Sequence, residues 1–199
     1  MRKILEDEGA TEITTVPVVM ARLREIDGRP AREIAAKRSA ERRGAAEHGT
    51  ADRHHAWALT REQRLTYLDT LPPGNIVVEG KLWSDPARPE ISLERDFARD
   101  LGVGVGSVLT FDVQGKAVRL AVTSLRTVDW RTFGINFFLV VEPGVLEGVP
   151  QTRVAAARLP AGREQRVQDR IAAAYPNVTL IGIRRILEKI VEILDRVGF

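Results

Sequence analysis

Hydrophobic positions in this chain gather in short β-branched runs through the middle and in helical repeats towards the end. Residues 2–8 read as a short charged helix. Ile13 to Leu23 carries Val16, Val18, Val19, Met20 and Leu23, and that β-branched density predicts a strand. Asp27-Gly28 is a turn signal. Residues 29–55 hold much Ala, Arg, Gly and Glu and few large apolar side chains. So little apolar surface does not offset the entropy of ordering, which predicts a mobile loop with a helical stretch at Ala31–Ala40.

Trp57 to Tyr67 reads as extended. Leu71-Pro72-Pro73-Gly74-Asn75 is a breaker, and Ile76 to Gly80 is a strand. Ile91 to Ala98 reads as the start of a helix, with Ser92 as its cap and residues 93, 97, 98 and 101 on one apolar face. Gly102 ends that helix. Val108–Val113, Val118–Leu125 and Ile135–Val141 are strands, the first two joined by a Gln114-Gly115 turn. In the third, alternation sets Phe137, Leu139 and Val141 against Asn136, Phe138 and Val140, so the strand is buried on both sides.

The last section changes character. Arg153–Leu159 is a strand, Arg163–Tyr175 a helix with Val167, Ile171 and Ala174 on one face, and Val178–Ile183 a further strand. A β-α-β unit of this length fits an α+β layer. Ile186, Leu187, Ile190, Val191, Ile193, Leu194 and Val197 then recur at helical spacing. This final helix either docks on the domain's own core or leads into a membrane helix.

Composition narrows the function. With 199 residues, 44% hydrophobic and 29% charged, the chain is long enough for one domain or two small subdomains around a real core. Its wholly apolar runs, Phe137–Val141 among the longest, fall far short of the roughly 20 residues of a membrane span. Met1-Arg-Lys runs straight into Glu6-Asp7-Glu8, which is no signal peptide. The absence of cysteine excludes disulfides, thiolate metal sites and cysteine nucleophiles. A net charge of +3 is slight, and the Arg29–Arg43 run has no interleaved aromatics, so nucleic acid is not an expected partner.

No catalytic constellation stands out. Gly102-Val-Gly-Val-Gly106 has a helix before it and a strand after it, the reverse of a dinucleotide loop. His48, His54 and His55 lie close together in the polar loop, which lacks the packing to fix metal geometry. Glu94, Asp96 and Asp100 alternate with Arg95 and Arg99 as a solvated helix face. Ser92, Ser107 and Ser124 lack a nucleophile elbow. The expectation is no enzyme, no cofactor and no metal. What remains is Arg126 to Pro150, which crowds Asp129, Trp130, Phe133, Asn136, Phe137 and Phe138 into ten positions of an aromatic-poor chain. Trp130 and Phe133, in the polar lead-in, are either core anchors or exposed contacts for a partner or amphiphile.

That stretch, with its Val-Asp-Trp, Asn-Phe-Phe and Pro-Gly-Val-Leu-Glu motifs, resembles the extracytoplasmic domain of MacB/FtsX-like ABC transporter permeases. Leu71-Pro-Pro-Gly-Asn-Ile-Val-Val-Glu-Gly80 with Trp83 is similar to another family motif, with Ser84 where the family has a second tryptophan. Ile91 to Phe111 is similar to a third, with Ser107 where Asp is common, and Ile4 to Leu23 resembles the segment leaving the first membrane helix. The resemblance implies an α+β fold: a porter-like α+β subdomain from residues 1–74 and 151–199, with a β-rich subdomain, 75–150, inserted. It implies a place on the periplasmic side of a bacterial inner membrane. The implied partners are a cytoplasmic ATPase, reached through the membrane helices, and a periplasmic protein or a hydrophobic or lipidated cargo. Ile186, Leu187, Ile190 and Leu194 would lie on the coupling helix. A soluble lipid- or peptide-binding protein is the competing reading.

Overall fold

A computed structural model describes residues 1–43, 59–85, 88–132 and 134–183. The chain divides into two compact units, Met1–Thr14 with Ala156–Phe199, and Thr15–Ala155. Residues 15–74, expected with the terminal parts, lie in the larger unit because its sheet uses their strands.

The strands are β1 (Thr11–Ile26), β2 (Arg29–Pro30), β3 (Glu62–Tyr67), β4 (Asn75–Gly80), β5 (Glu90–Glu94), β6 (Val108–Val113), β7 (Lys116–Val128), β8 (Leu139–Val141) and β9 (Thr152–Arg158). The helices are α1 (Arg2–Asp7), α2 (Ala31–Arg43), α3 (Arg95–Leu101) and α4 (Glu164–Ala174).

In the larger unit the sheet closes on itself. β1 pairs antiparallel with β3, β3 runs parallel to β8, and β8 is antiparallel to β5. β5 is then parallel to β7, β7 antiparallel to β6, and β6 antiparallel to β1 again. Alternate residues of every strand in this ring enter one buried cluster: Ala21 and Leu23, Leu65, Leu139 and Val141, Ile91 and Leu93, Leu120 and Val122, Leu109 and Phe111. The residues between them on β1, Met20, Arg22 and Arg24, are exposed. That is the period-2 pattern of a small barrel whose interior is filled by side chains.

Two sequence expectations fail here for one reason. Ile91–Glu94 is strand, not helix, and Ser92 caps nothing. All five residues of β5 are buried, lying between β7 and β8, so pairing on both sides overrides the local helix signal. Ser92 instead bonds Ser124 across the β5–β7 pair at 2.8 Å, with both side chains buried. The helix starts at Arg95, and its cap is Glu94, whose Oε2 accepts from the Phe97 N–H at 2.7 Å. Gly102, left-handed with φ 72°, ends it as expected. Arg38 from α2 donates to the carbonyls of Asp100 and Leu101 at 2.7 and 3.0 Å, satisfying acceptors that the helix itself leaves open. Asp96 and Arg99 pair at 3.1 Å on the solvent side, as the charge spacing implied.

Trp57–Tyr67 is extended only from Glu62; Leu59 and Thr60 are helical, and Trp57 lies outside the described residues. Ile135–Val141 is strand only at Leu139–Val141. The three strand residues are buried on both sides, as the alternation implied.

The smaller unit packs Leu5 of α1 against Val167 and Ile171 of α4, with Ile4, Ile13, Leu159, Val178 and Leu180 around them. Val178–Ile183 is not a strand. Val178 and Leu180 pack on the cluster, whereas Ile181 and Ile183 are exposed, and no strand among the described residues pairs with the segment. An ionic clamp accompanies the apolar contact. The buried Glu8 carboxylate accepts from Arg170 at 2.8 Å and from Arg163 at 3.3 Å. The Arg170 hydrogen bond, with help from the nearby charges of Arg166 and Arg163, holds Glu8 below the ordinary carboxylate value of 4.5.

Two expectations are open to measurement. Gly80 has φ 74°, and a Cβ there would stand 2.1 Å from the backbone oxygen of Thr123. Gly80→Ala should therefore destabilise the chain by about 2 kcal/mol or more, read by denaturant unfolding. The depressed Glu8 adds stability that is complete above its unfolded value of 4.5 and is lost as pH falls through the lower folded value. Acid unfolding followed from pH 6 downwards should show this loss, and Glu8→Gln should abolish the part of the pH dependence that arises here.

Candidate functional site

β7 leaves the barrel at Val128 and feeds the aromatic-rich segment, which is held from below by one buried cation. Arg126 is 0% exposed. Its Nη1 donates to Asn75 Oδ1 at 2.9 Å and its Nη2 to the Phe137 carbonyl at 2.6 Å. Its Nε is buried without a partner among the described residues. Burial pushes the guanidinium down to about 10, partly offset by the charge of Glu94, which sits opposite it in the β5–β7 register. Arg126 thus stays charged at neutral pH.

The polar chain continues outward. Asn75 donates to Asn136 Oδ1 at 2.8 Å, and Asn136 to Thr132 Oγ1 at 3.4 Å. The Glu94 N–H donates to the Phe138 carbonyl at 2.8 Å and the Asp129 N–H to the Gly74 carbonyl at 2.9 Å. Arg126 and Asn75 thus draw Asn136 and the Phe137 carbonyl into side-chain bonds, so the segment before Leu139 is not strand. At the tip, Asp129 accepts from the Arg131 backbone N–H at 3.1 Å and forks with its guanidinium at 2.9 and 3.1 Å. Those bonds hold the Asp129 carboxyl below its ordinary value.

On this frame sits an aromatic ladder. Phe97 of α3 is buried and stacks on Phe138 with centroids 5.1 Å apart and planes 18° apart. Phe138 meets Trp130 at 4.8 Å with a tilt of 48°. Exposure rises outward, to 37% at Phe138 and 49% at Trp130. Trp130 is thus exposed at one face and anchored at the other. Ile76 and Val78 on the neighbouring β4 are exposed as well. Phe133, the other sequence candidate, lies outside the described residues, as do His48, His54, His55 and the residues expected on a coupling helix, Ile186, Leu187, Ile190 and Leu194.

Sequence reasoning gave Arg126 no role, although it opens the motif. An arginine that ends the apolar strand run from Val118 is the one signal that marked it. Asn75, read as part of a breaker, is its partner. Among the described residues no group of acidic or histidine side chains is placed to hold a metal ion, and no helix is long and apolar enough to cross a membrane. The geometry provides an aromatic surface mounted on a buried, hydrogen-bonded frame.

Comparison with known proteins gives a class first: this chain is similar to part of an ABC transporter permease. The relative is the uncharacterized ABC transporter permease YbbP of Escherichia coli strain K12, 35% identical over 133 residues. The match covers 67% of this chain and 16% of the relative, so the chain spans a small part of that protein's length. A solved permease-protein domain from Porphyromonas gingivalis matches 84% of this chain and 73% of its own, at a TM-score of 0.35 and 11% identity. That likeness is too distant to carry an argument. No family model matches the chain.

Replacing Arg126 separates frame from surface. Arg126→Ala strands Asn75 Oδ1 and the Phe137 carbonyl and leaves a void, so a loss of about 3–5 kcal/mol is expected in denaturant unfolding. Trp130→Ala removes one aromatic contact and half-exposed surface, and should cost only about 1 kcal/mol in the same assay.

Proposed function

We propose that this chain is the extracytoplasmic domain of a MacB/FtsX-like ABC transporter permease. In this reading it transmits motion driven by a cytoplasmic ATPase to a periplasmic partner or to a hydrophobic or lipidated cargo. The observation that carries the reading is the 35% identity to the YbbP permease over two thirds of the chain. The division into a smaller unit made of both chain ends and a larger unit inserted between them supports it too. Under this proposal the smaller unit is the porter-like α+β part. Ile186, Leu187, Ile190 and Leu194, whose spacing in the sequence is helical, are proposed as the coupling element.

Within this reading Trp130 and Phe138 form the contact surface. Half-exposed aromatics backed by a buried ring cost solvation when free and regain it when covered, which suits an apolar partner. A domain that transmits motion must contact that partner differently in the two nucleotide states.

The test uses the full-length permease with its ATPase. A single cysteine at the exposed Arg131, in a full-length variant with any other cysteines replaced, should react with a membrane-impermeant maleimide in intact spheroplasts. Labelling that appears only after lysis would place the domain in the cytoplasm and end the proposal. A photoreactive phenylalanine analogue in place of Trp130 should then crosslink to a protein or lipid in a nucleotide-dependent way. Equal crosslinking in both nucleotide states would remove Trp130 from the transmitted contact.

A further inference from the structure

β4 stands outside the closed ring. β5 lies along one side of β7, and on the other side β6 pairs as far as Ala121 and β4 takes over from Ser124. Among the described residues β4 pairs with β7 alone, so its far edge meets no strand.

Two hydrogen bonds fix which backbone groups face that edge. The Asp129 N–H donates to the Gly74 carbonyl at 2.9 Å, and bonded and unbonded pairs alternate along an antiparallel ladder. With Asn75 opposite Val128 and Ile76 opposite Thr127, the next bonded pair is Ile76 with Thr127. Asn75 and Val77 therefore turn their backbone N–H and C=O groups away from β7. The Asn75 N–H is taken up by the Pro72 carbonyl at 3.2 Å. The Asn75 C=O and both backbone groups of Val77 have no partner among the described residues. Beyond the register shift, the Lys81 N–H donates to the Thr123 carbonyl at 3.1 Å, which by the same alternation turns Gly80 outward as well. The side chains divide in the same regular way. Asn75 and Val77 are half-buried and Asn75 is held by Arg126, whereas Ile76 is 65% and Val78 48% exposed.

We propose that the β4 edge takes up an extended segment of a partner protein as an added strand. The segment would bond Asn75 and Val77 through its backbone and cover Ile76 and Val78 with apolar side chains at alternate positions. The outward N–H and C=O groups select this occupant. An acyl chain would cover the isoleucine and valine but has no donor or acceptor to match the backbone beside them. Stacking of copies edge to edge needs a long, flat rail, and the register shift between Val77 and Glu79 breaks this one after Val77. A short peptide strand meets both requirements. The edge belongs to the barrel, and its role does not rest on the permease reading.

The test uses the 199-residue chain, with a capped hexapeptide of alternating threonine and valine as probe and laurate as the apolar control. Saturating peptide should slow amide hydrogen exchange at Val77 by about tenfold or more, with Ile76, already bonded to Thr127, as the internal reference. Laurate should leave Val77 unchanged. Val77→Pro removes the outward N–H and spares both bonds of the Ile76–Thr127 pair, so it should weaken peptide binding by about tenfold or more. Val77→Ala keeps the N–H and should bind like the wild type. No slowing with peptide, equal protection by laurate, or equal binding by the two variants would overturn the proposal. So would self-association of the chain that Val77→Pro abolishes, since the edge would then belong to a second copy. The exchange measurement on the wild-type chain keeps the test independent of how the proline variant folds.

Discussion

Closure of the sheet is the constraint from which the larger unit follows. β1 must pair with β3 along one edge and with β6 along the other, and Arg22 takes part in both registers. It does so in one long strand, with the register shift against β6 between Leu23 and Glu25 that lets the sheet bend. Once the ring is closed, its interior has to be filled at alternate positions of every strand. The inward rows are therefore Leu, Ile, Val, Phe and Ala, while β1 from Val19 to Arg24 alternates buried apolar with exposed residues. α3 packs on β5 and β7 and adds Phe97, Ala98 and Leu101 to the same cluster.

Closure also explains why a charge sits at zero exposure where β7 emerges. Arg126 lies at the end of the β5–β7 pairing, where the chain must leave the ring and carry an irregular segment. Irregular backbone exposes carbonyls that no strand satisfies. The guanidinium supplies donors to one of them and to the side chain that orients the rest. A buried ion of this kind is weak evidence for stability in itself, since desolvation offsets much of its attraction. Its consequence is geometric: the segment is tied at Asn136 and at the Phe137 carbonyl, and Trp130 is presented on Phe138 and Phe97.

Much of the barrel was legible in the sequence because period-2 patterning and β-branched density coincide in β1, β6 and β7. The glycine that ends α3 and the turns at Asp27-Gly28 and Gln114-Gly115 were legible too, since they demand positive φ, which Asp27, Gly28, Gln114 and Gly115 all show. Two segments were not. Ile91–Glu94 has a helix-compatible pattern and becomes a strand only because two other strands flank it. Val178–Ile183 has strand composition and finds no partner among the described residues. The aromatic candidate Trp130 was visible as an anomaly of composition. Arg126 and Asn75 were not visible as its support, because a side chain that satisfies distant carbonyls leaves no periodic trace.

A surface that takes part in transmitting motion must not absorb that motion. An exposed tryptophan on a loose loop would reorient within its own loop before it moved anything bound to it. Trp130 instead stands on a ladder whose last rung is in the barrel core, and its loop is tied to β4, β5 and β7 by the Gly74 and Phe138 carbonyls and by Arg126. Displacing Trp130 relative to the barrel therefore means breaking its contact with Phe138, which is itself stacked on the buried Phe97. Under the proposed function, that stiffness makes the barrel and its exposed aromatics move as one body. Compliance in the larger unit then belongs to segments outside that frame.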